Sequence, residues 1–178
     1  MTSNDQATLL MLEVHAALHE FGISHEVLPC PDELSDTAAF CAHYNVPLSQ
    51  AANTILVTSR KVDPPVQAVC VVLGTTRLDV NRKVRELLGV KRASFADAEL
   101  TVELTGMQIG GVTPFGLPQP ENGSLPIFVD AAVLEQDHVI MGGGNRTSKI
   151  RLAPTELRKL PAVVLVEGLA APKEAAAP

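Results

Sequence analysis

Apolar residues recur along this chain at two spacings. Between residues 4 and 21, Leu10, Val14, Leu18 and Phe21 stand at i, i+4, i+8 and i+11, the stripe of one helix face, and Gly22 follows as a stop. Further on the pattern changes to short runs of β-branched and aliphatic residues. Asn53–Ser59 and Val66–Leu73 are the clearest, and the RKVDPP between them has turn chemistry, so an antiparallel pair is predicted. Ile23–Leu28, Val90–Phe95, Pro126–Asp130, His138–Met141, Thr147–Leu152 and Ala162–Val166 predict further strands. Helices are predicted over 36–43 with Ser35 as cap, over 80–88 with Asp79 as cap, from Asp97 to Gly106, and from Pro154 to Lys159. This order mixes strand pairs with short helices. It predicts an α+β domain with a mixed, mostly antiparallel sheet rather than a doubly wound parallel one. One domain is expected over residues 1–170, with a frayed tail over 171–178.

Composition narrows the picture. Aromatic residues make up 3% of the 178 and Trp is absent, so the core must be built from Val, Leu, Ile and Ala. No apolar run reaches membrane-spanning length, and Asn4 and Asp5 stand where a signal peptide would be basic. A soluble cytoplasmic protein without a membrane partner is expected. Cys30, Cys41 and Cys70 form no C-x-x-C pair and are odd in number, which argues for buried thiols rather than a disulfide framework or a zinc ribbon. His15 and His19 lie four apart, but no third ligand accompanies them, so neither metal nor cofactor is implied. No Ser-His-Asp or Cys-His arrangement is legible, which speaks against a covalent nucleophile.

The net charge of −6 speaks against a general nucleic-acid binder. Its distribution is uneven, however. Residues 1–59 hold seven acids and no base, whereas residues 60–178 hold all 14 bases and 13 of the 20 acids. The bases concentrate between Arg77 and Arg92. Such a run is either a solvated helix face or a set of phosphate contacts.

Two glycine-rich stretches carry the candidate chemistry. Thr105–Pro118 reads TGMQIGGVTPFGLP, with four glycines and two prolines in fourteen residues. Adjacent glycines such as Gly110 and Gly111 allow positive φ and leave backbone N–H groups uncovered, and a wall of such groups can hold a carbonyl or phosphate oxygen. Gly142-Gly143-Gly144, followed by Asn145 and Arg146, is a second place where backbone can approach a ligand. This second stretch lacks the G-x-G-x-x-G and G-K-[ST] spacing of nucleotide-binding loops.

Taken in order, the NTILV strand, the RLDV-x-RKVRELLG helix, LTG-x-x-x-GGVTPFG, LPIFVD, VIMGGG-x-R and the KIRL strand resemble the YbaK family, the prolyl-tRNA synthetase-associated editing domain, over about residues 20–168. The resemblance implies a curved, mostly antiparallel, barrel-like sheet surrounded by short helices. It implies a trans-acting deacylase that hydrolyses the ester between a wrong amino acid and the tRNA 3′-terminal adenosine. The implied partners are the acceptor end of a mischarged tRNA and an aminoacyl-tRNA synthetase. The family's Gly-x-x-x-Pro loop maps onto Gly110, Gly111, Val112, Thr113 and Pro114, whose backbone would hold the amino-acid carbonyl region. Gly142, Gly143, Gly144 and Arg146 would lie near the adenosine, and Arg82, Lys83 and Arg85 would meet acceptor-stem phosphates. Thr113 offers a hydroxyl to the attacking water or the substrate amine, or else bonds nearby backbone. The sequence departs from the family at two positions. Asn53 stands where active members carry a Lys, and Lys149 stands where relatives have an acidic residue. Either Lys149 supplies the missing charge from another strand, or the pocket binds an aminoacyl or nucleotide group without hydrolysis. Asn53, Lys149 and Thr113 are therefore the candidate catalytic residues.

Overall fold

The computed structural model describes residues 9–34, 36–118 and 125–173. The predicted stripe winds α1 (Leu12–Glu20), which buries Val14, Ala17 and Leu18, and Gly22 at φ 58° turns the chain away. Strand β1 (Glu26–Pro29) leads to α2 (Thr37–His43). The cap of α2 is Asp36 rather than the predicted Ser35, which lies outside the described residues. The Asp36 carboxylate accepts from the amides of Ala38 and Ala39 at 3.0 Å each. Two adjacent cap-forming residues compete here, and a carboxylate also complements the positive end of the helix.

Strands β2 (Ala52–Ser59) and β3 (Gln67–Leu73) pair antiparallel, as predicted, with Ile55 opposite Cys70. Strand β4 (Thr76–Leu78) follows. The expected helix over 80–88 begins instead as a π-turn, in which the Val84 amide donates to the Asp79 carbonyl at 3.0 Å, and closes as a single α-turn, α3 (Arg85–Leu87). Then come β5 (Ala93–Phe95), α4 (Ala98–Thr105), β6 (Ile127–Asp130), α5 (Ala131–Leu134), β7 (Val139–Gly142) and β8 (Ser148–Leu152). A 3-10 turn over Pro154–Lys159 replaces the predicted helix, and β9 (Val163–Val166) and β10 (Ala170–Pro172) end the described chain. Ala171 and Pro172, expected in a frayed tail, pair with β4, and Lys173 Nζ donates to the Gly74 carbonyl at 2.7 Å.

The strands form a five-stranded sheet in the order β5-β2-β3-β6-β9, a three-stranded sheet β1-β8-β7 and a two-stranded ribbon β10-β4. Among the strand pairs of the described residues only β3–β6 and β6–β9 run parallel, so the mixed, mostly antiparallel expectation holds. The barrel-like closure does not. A single bridge, Ala51 to Ile140, joins the two larger sheets, and no closed barrel is found among the described residues.

Both faces of β3 are buried. Val69, Val71 and Leu73 enter the main core with α1, β7 and β8, while Ala68, Cys70 and Val72 pack with Leu78, Val80 and Val84. That double cover explains the nearly unbroken apolar run in the sequence. A third cluster, Cys30, Phe40 and Ile140, lies between α2 and the β1-β8-β7 sheet. All three cysteines are buried and free, and burial pushes the Cys70 thiol up to about 12.

Candidate active site

A cleft of about 550 Å³ opens beside the Ala51–Ile140 bridge. Residues 52–56 of β2 form one side, and Thr37, Phe40 and Cys41 of α2 another. Ile109, Gly110 and Val112 of the first glycine stretch, Gly142 at the end of β7, Arg146 and Lys149 complete it.

The first glycine stretch is clamped at both ends by Met107 and Phe115, each fully buried in the main core. The Thr105 hydroxyl accepts from the Met107 amide at 3.0 Å and donates to the Thr101 carbonyl at 2.6 Å. Between the clamps Gly110 takes φ 96°, which a residue with a Cβ rarely adopts.

The second stretch packs directly on the first. The Gly144 amide donates to the Gly111 carbonyl at 2.8 Å. A Cβ on Gly111 would run into the Asn145 carbonyl, and one on Gly142 into the carbonyls of Gly111 and Val112. One on Gly143 would meet the Ser148 hydroxyl, and one on Gly144 would lie 2.6 Å from side-chain carbons of Met11 and Val14. The two stretches therefore make one wall, stacked backbone on backbone. Gly110 and Gly142 face the cleft, whereas Gly111, Gly143 and Gly144 provide the close packing behind it.

Asn145, assigned no role of its own from the sequence beyond following the glycines, holds the second stretch. Its Oδ1 accepts from the Thr147 amide at 3.1 Å, the Thr147 hydroxyl at 3.1 Å and the Ser148 hydroxyl at 2.7 Å, and its Nδ2 donates to the Leu9 carbonyl at 2.8 Å. An Asn after a glycine run, bonding to its own backbone two residues on, was the available signal.

Lys149 is 6% exposed and reaches into the cleft wall. Its strand neighbours Ile150 and Leu152 enter the main core, so Lys149 points to the other face, toward α2. Its Nζ donates to the Gly110 carbonyl at 2.7 Å and lies 5.9 Å from the centre of the Phe40 ring, within cation–π reach. Burial holds the ammonium's pKa below the ordinary 10.5, and nearby Arg146 lowers it further. The Cys30 and Cys41 sulfurs and the Asp36 carboxylate act the other way.

Asn53 is half-buried, and its Oδ1 accepts from the Thr37 hydroxyl at 3.2 Å. Arg146 Nε meets the Asp32 carboxylate at 2.9 Å, and the same guanidinium donates to the Ile109 carbonyl at 3.4 Å, tying the loop tip to the chain before α2. Thr113 is fully buried behind the cleft wall, and its hydroxyl has no hydrogen-bond partner. Pro114 lines a separate cavity of about 740 Å³ beside α1. Arg82, Lys83 and Arg85 lie on the π-turn and α3, away from the cleft lining. The Arg82 side chain is 78% exposed and pairs with Asp79 at 3.2 Å. Among the described residues no group of three His, Cys, Asp or Glu side chains could hold a metal ion, and no helix is long and apolar enough to cross a membrane.

The arrangement thus combines a shaped backbone wall, a buried cation and an open cleft, which suits an anionic or carbonyl-bearing ligand.

Comparison with known proteins gives the same direction. The family described as aminoacyl-tRNA editing domain matches residues 32–160, a span that takes in the cleft from Asp36 to Lys149. An uncharacterized protein of Bacillus subtilis (strain 168), YwhH, is 33% identical over 119 residues, covering 62% of this chain and 71% of its own. The crystal structure of the hypothetical protein APE2540 superposes with a TM-score of 0.74 at 28% identity, over 86% of this chain and 97% of that one. A candidate trans-editing enzyme for prolyl tRNA synthetase gives a TM-score of 0.74 at 25% identity, over 94% and 97%. The chain therefore belongs to the aminoacyl-tRNA editing domain family.

Proposed function

We propose that this chain is a trans-acting deacylase of mischarged aminoacyl-tRNA. The observation that carries the reading is the Lys149 ammonium, buried in the cleft wall at 2.7 Å from the Gly110 carbonyl, in a chain of the editing-domain family. The solved relative described as a trans-editing candidate supports the same reading.

In this proposal the 3′-terminal adenosine enters the cleft with the aminoacyl ester against the Gly110–Val112 backbone. Water adds to the ester carbonyl carbon, the bond to the ribose oxygen breaks, and that oxygen takes a proton. The products are free amino acid and uncharged tRNA. An aminoacyl ester is already activated, so placement of water and ester supplies much of the rate. Lys149 stabilises the negative charge that develops on the carbonyl oxygen, or the adjacent terminal phosphate, and so supplies from β8 the charge that Asn53 lacks. Asn53, held by Thr37, positions a ribose hydroxyl or the attacking water with its amide. Arg146 lies on the tRNA side of the cleft, and Arg82, Lys83 and Arg85 meet phosphates farther along the acceptor stem.

The test is deacylation of mischarged tRNAs, with Ala-tRNA(Pro), Cys-tRNA(Pro) and Ser-tRNA in the panel. Release of amino acid from at least one mischarged tRNA, faster than from its correctly charged counterpart, is the expected result. Tight tRNA binding without release would reject the hydrolase in favour of a binding module. Cleavage of aminoacyl esters regardless of the nucleic acid would reject the tRNA.

A further inference from the structure

An exposed aromatic ring stands where the cleft runs out along the sheet. Of the five Phe residues, Phe40, Phe115 and Phe128 are buried, Phe21 packs against the main core, and Phe95 is 52% exposed. Phe95 ends β5, an edge strand of the five-stranded sheet, directly opposite Val57 of β2. Residues opposite one another across a strand pair share a sheet face, and alternation along β2 sets Asn53 and Ile55 on that same face. Asn53 and Ile55 both line the cleft and are only half-buried. From Asn53 to Val57, the row of Phe95, the strand advances about 13 Å at about 3.3 Å per residue. Ala96, the residue after Phe95, donates its amide to the Leu56 carbonyl at 3.0 Å and lines the cleft itself.

Cations flank the ring. Ala93 of β5 packs with Val80 and Val84 of the π-turn that carries Arg82 and Lys83. At the other end of β5 the Arg60 amide donates to the Arg92 carbonyl at 2.9 Å, which brings two exposed arginines together at the end of the β2–β5 pair. Asp97, the nearest acid along the chain, is turned to the Leu100 amide, which it caps at 2.9 Å. A lone exposed apolar side chain is ordinary on a protein surface. A ring flanked by cations and continuous with a cleft has the make-up of a platform for unpaired nucleic acid, where a base stacks on the ring and phosphates meet the cations. Resting on the deacylase reading above, we infer that Phe95 stacks a base of the unpaired 3′ strand that precedes the terminal adenosine. With the adenosine in the cleft, that strand runs over Ile55 to Phe95, and the turn bearing Arg82 and Lys83 takes its phosphates. Phe95 is then a positioning residue, which holds the tRNA and leaves the chemistry at the ester untouched.

Phe95→Ala removes the ring, and Phe95→Trp keeps a stacking face. In deacylation of mischarged tRNA, Phe95→Ala is expected to raise KM by at least about fivefold with kcat within about twofold, and Phe95→Trp to keep both near wild type. On aminoacyl-adenosine, which lacks the preceding nucleotides, Phe95→Ala should match wild type. An equal loss on both substrates, or no loss on tRNA, overturns the inference. A second readout needs no turnover. The chain contains no Trp, so Phe95→Trp carries a single reporter. Titration with a single-stranded oligonucleotide ending in CCA should quench its fluorescence, less strongly as salt rises. Quenching where no tRNA is hydrolysed supports the platform and sinks the hydrolase reading alone. An oligonucleotide that binds by fluorescence polarisation without quenching, or that does not bind, overturns the role of Phe95. So does sedimentation of the wild type as a dimer that Phe95→Ala dissociates, since the ring would then belong to a contact with a second copy.

Discussion

Replacing Lys149 by Met should separate stability from activity. Met keeps most of the stem against Phe40 and removes the ammonium. On the stability side, the change loses a charged hydrogen bond, about 1.5–3 kcal/mol, and leaves the Gly110 carbonyl without that donor, about 1–3 kcal/mol. Against this it removes the cost of holding a cation away from water, several kcal/mol by order of magnitude. The Gly110 carbonyl left behind is neutral rather than charged, so these terms nearly cancel, and the expected change at pH 7 lies within about 2 kcal/mol of zero. The pH dependence carries a second signature. The folded ammonium titrates below 10.5 and the unfolded one near it, so between those values the unfolded chain binds more protons. Wild-type stability therefore rises as pH climbs through that window, while at neutral pH the burial cost is fully present. The Met variant lacks this rise. On the activity side, losing a charge aimed at the developing oxyanion costs about 10²–10³ in kcat. The assays are urea unfolding at pH 7 and at pH 9.5, and single-turnover release of amino acid from mischarged tRNA. A variant destabilised by more than about 4 kcal/mol whose folded fraction turns over at the wild-type rate would refute the reasoning, because Lys149 would then be a structural strut.

Gly142→Ala should cost about 1–3 kcal/mol or more in chemical unfolding, because the new Cβ meets the carbonyls of Gly111 and Val112, which cannot rotate away. Gly22→Ala is the comparison: nothing lies within 4 Å of its Cβ, so only the strain at φ 58° remains, about 1–2 kcal/mol. In thiol titration at pH 8, the native protein should show no fast-reacting thiol and the denatured protein three. The Cys70 thiol is pushed up to about 12, and burial raises Cys30 and Cys41 as well. Replacing Arg82, Lys83 and Arg85 together by Ala should leave unfolding within about 1 kcal/mol, since the two arginines are exposed and Lys83 is half-buried, and should weaken tRNA binding with a shallower salt dependence. Unchanged affinity across salt would make this stretch a solvated face.

Much of this architecture was legible because its signals are local. The β2–β3 pair announced itself by β-branched runs around a proline turn, and α4 by Asp97 at one end and Gly106, at φ 70°, at the other. Elements carried by few residues escaped: β4 and β10 have three each, and they find one another across about ninety positions. The choice between Ser35 and Asp36 as cap, and the π-turn after Asp79, depend on backbone geometry that residue type does not encode. At the site, the two glycine stretches and Lys149 were legible as candidates, but their relation was not. Strand alternation leaves Lys149 facing either solvent or protein, and only the cover of α2 over the outer face of β8 makes that face buried. The sequence offers the stretches as two separate places for a ligand, and they stack as one wall, because the Gly111 carbonyl takes the Gly144 amide.

The most direct test of the central claim is a crystal structure with a nonhydrolysable aminoacyl amide of 3′-amino-3′-deoxyadenosine. The account predicts the amide carbonyl oxygen against the Gly110–Val112 backbone, with Lys149 Nζ at hydrogen-bond distance, about 3 Å, from that oxygen or from the adjoining phosphate position. An analogue seated in the cavity beside α1, or held with its carbonyl turned away from Lys149 and the glycine wall, would contradict it.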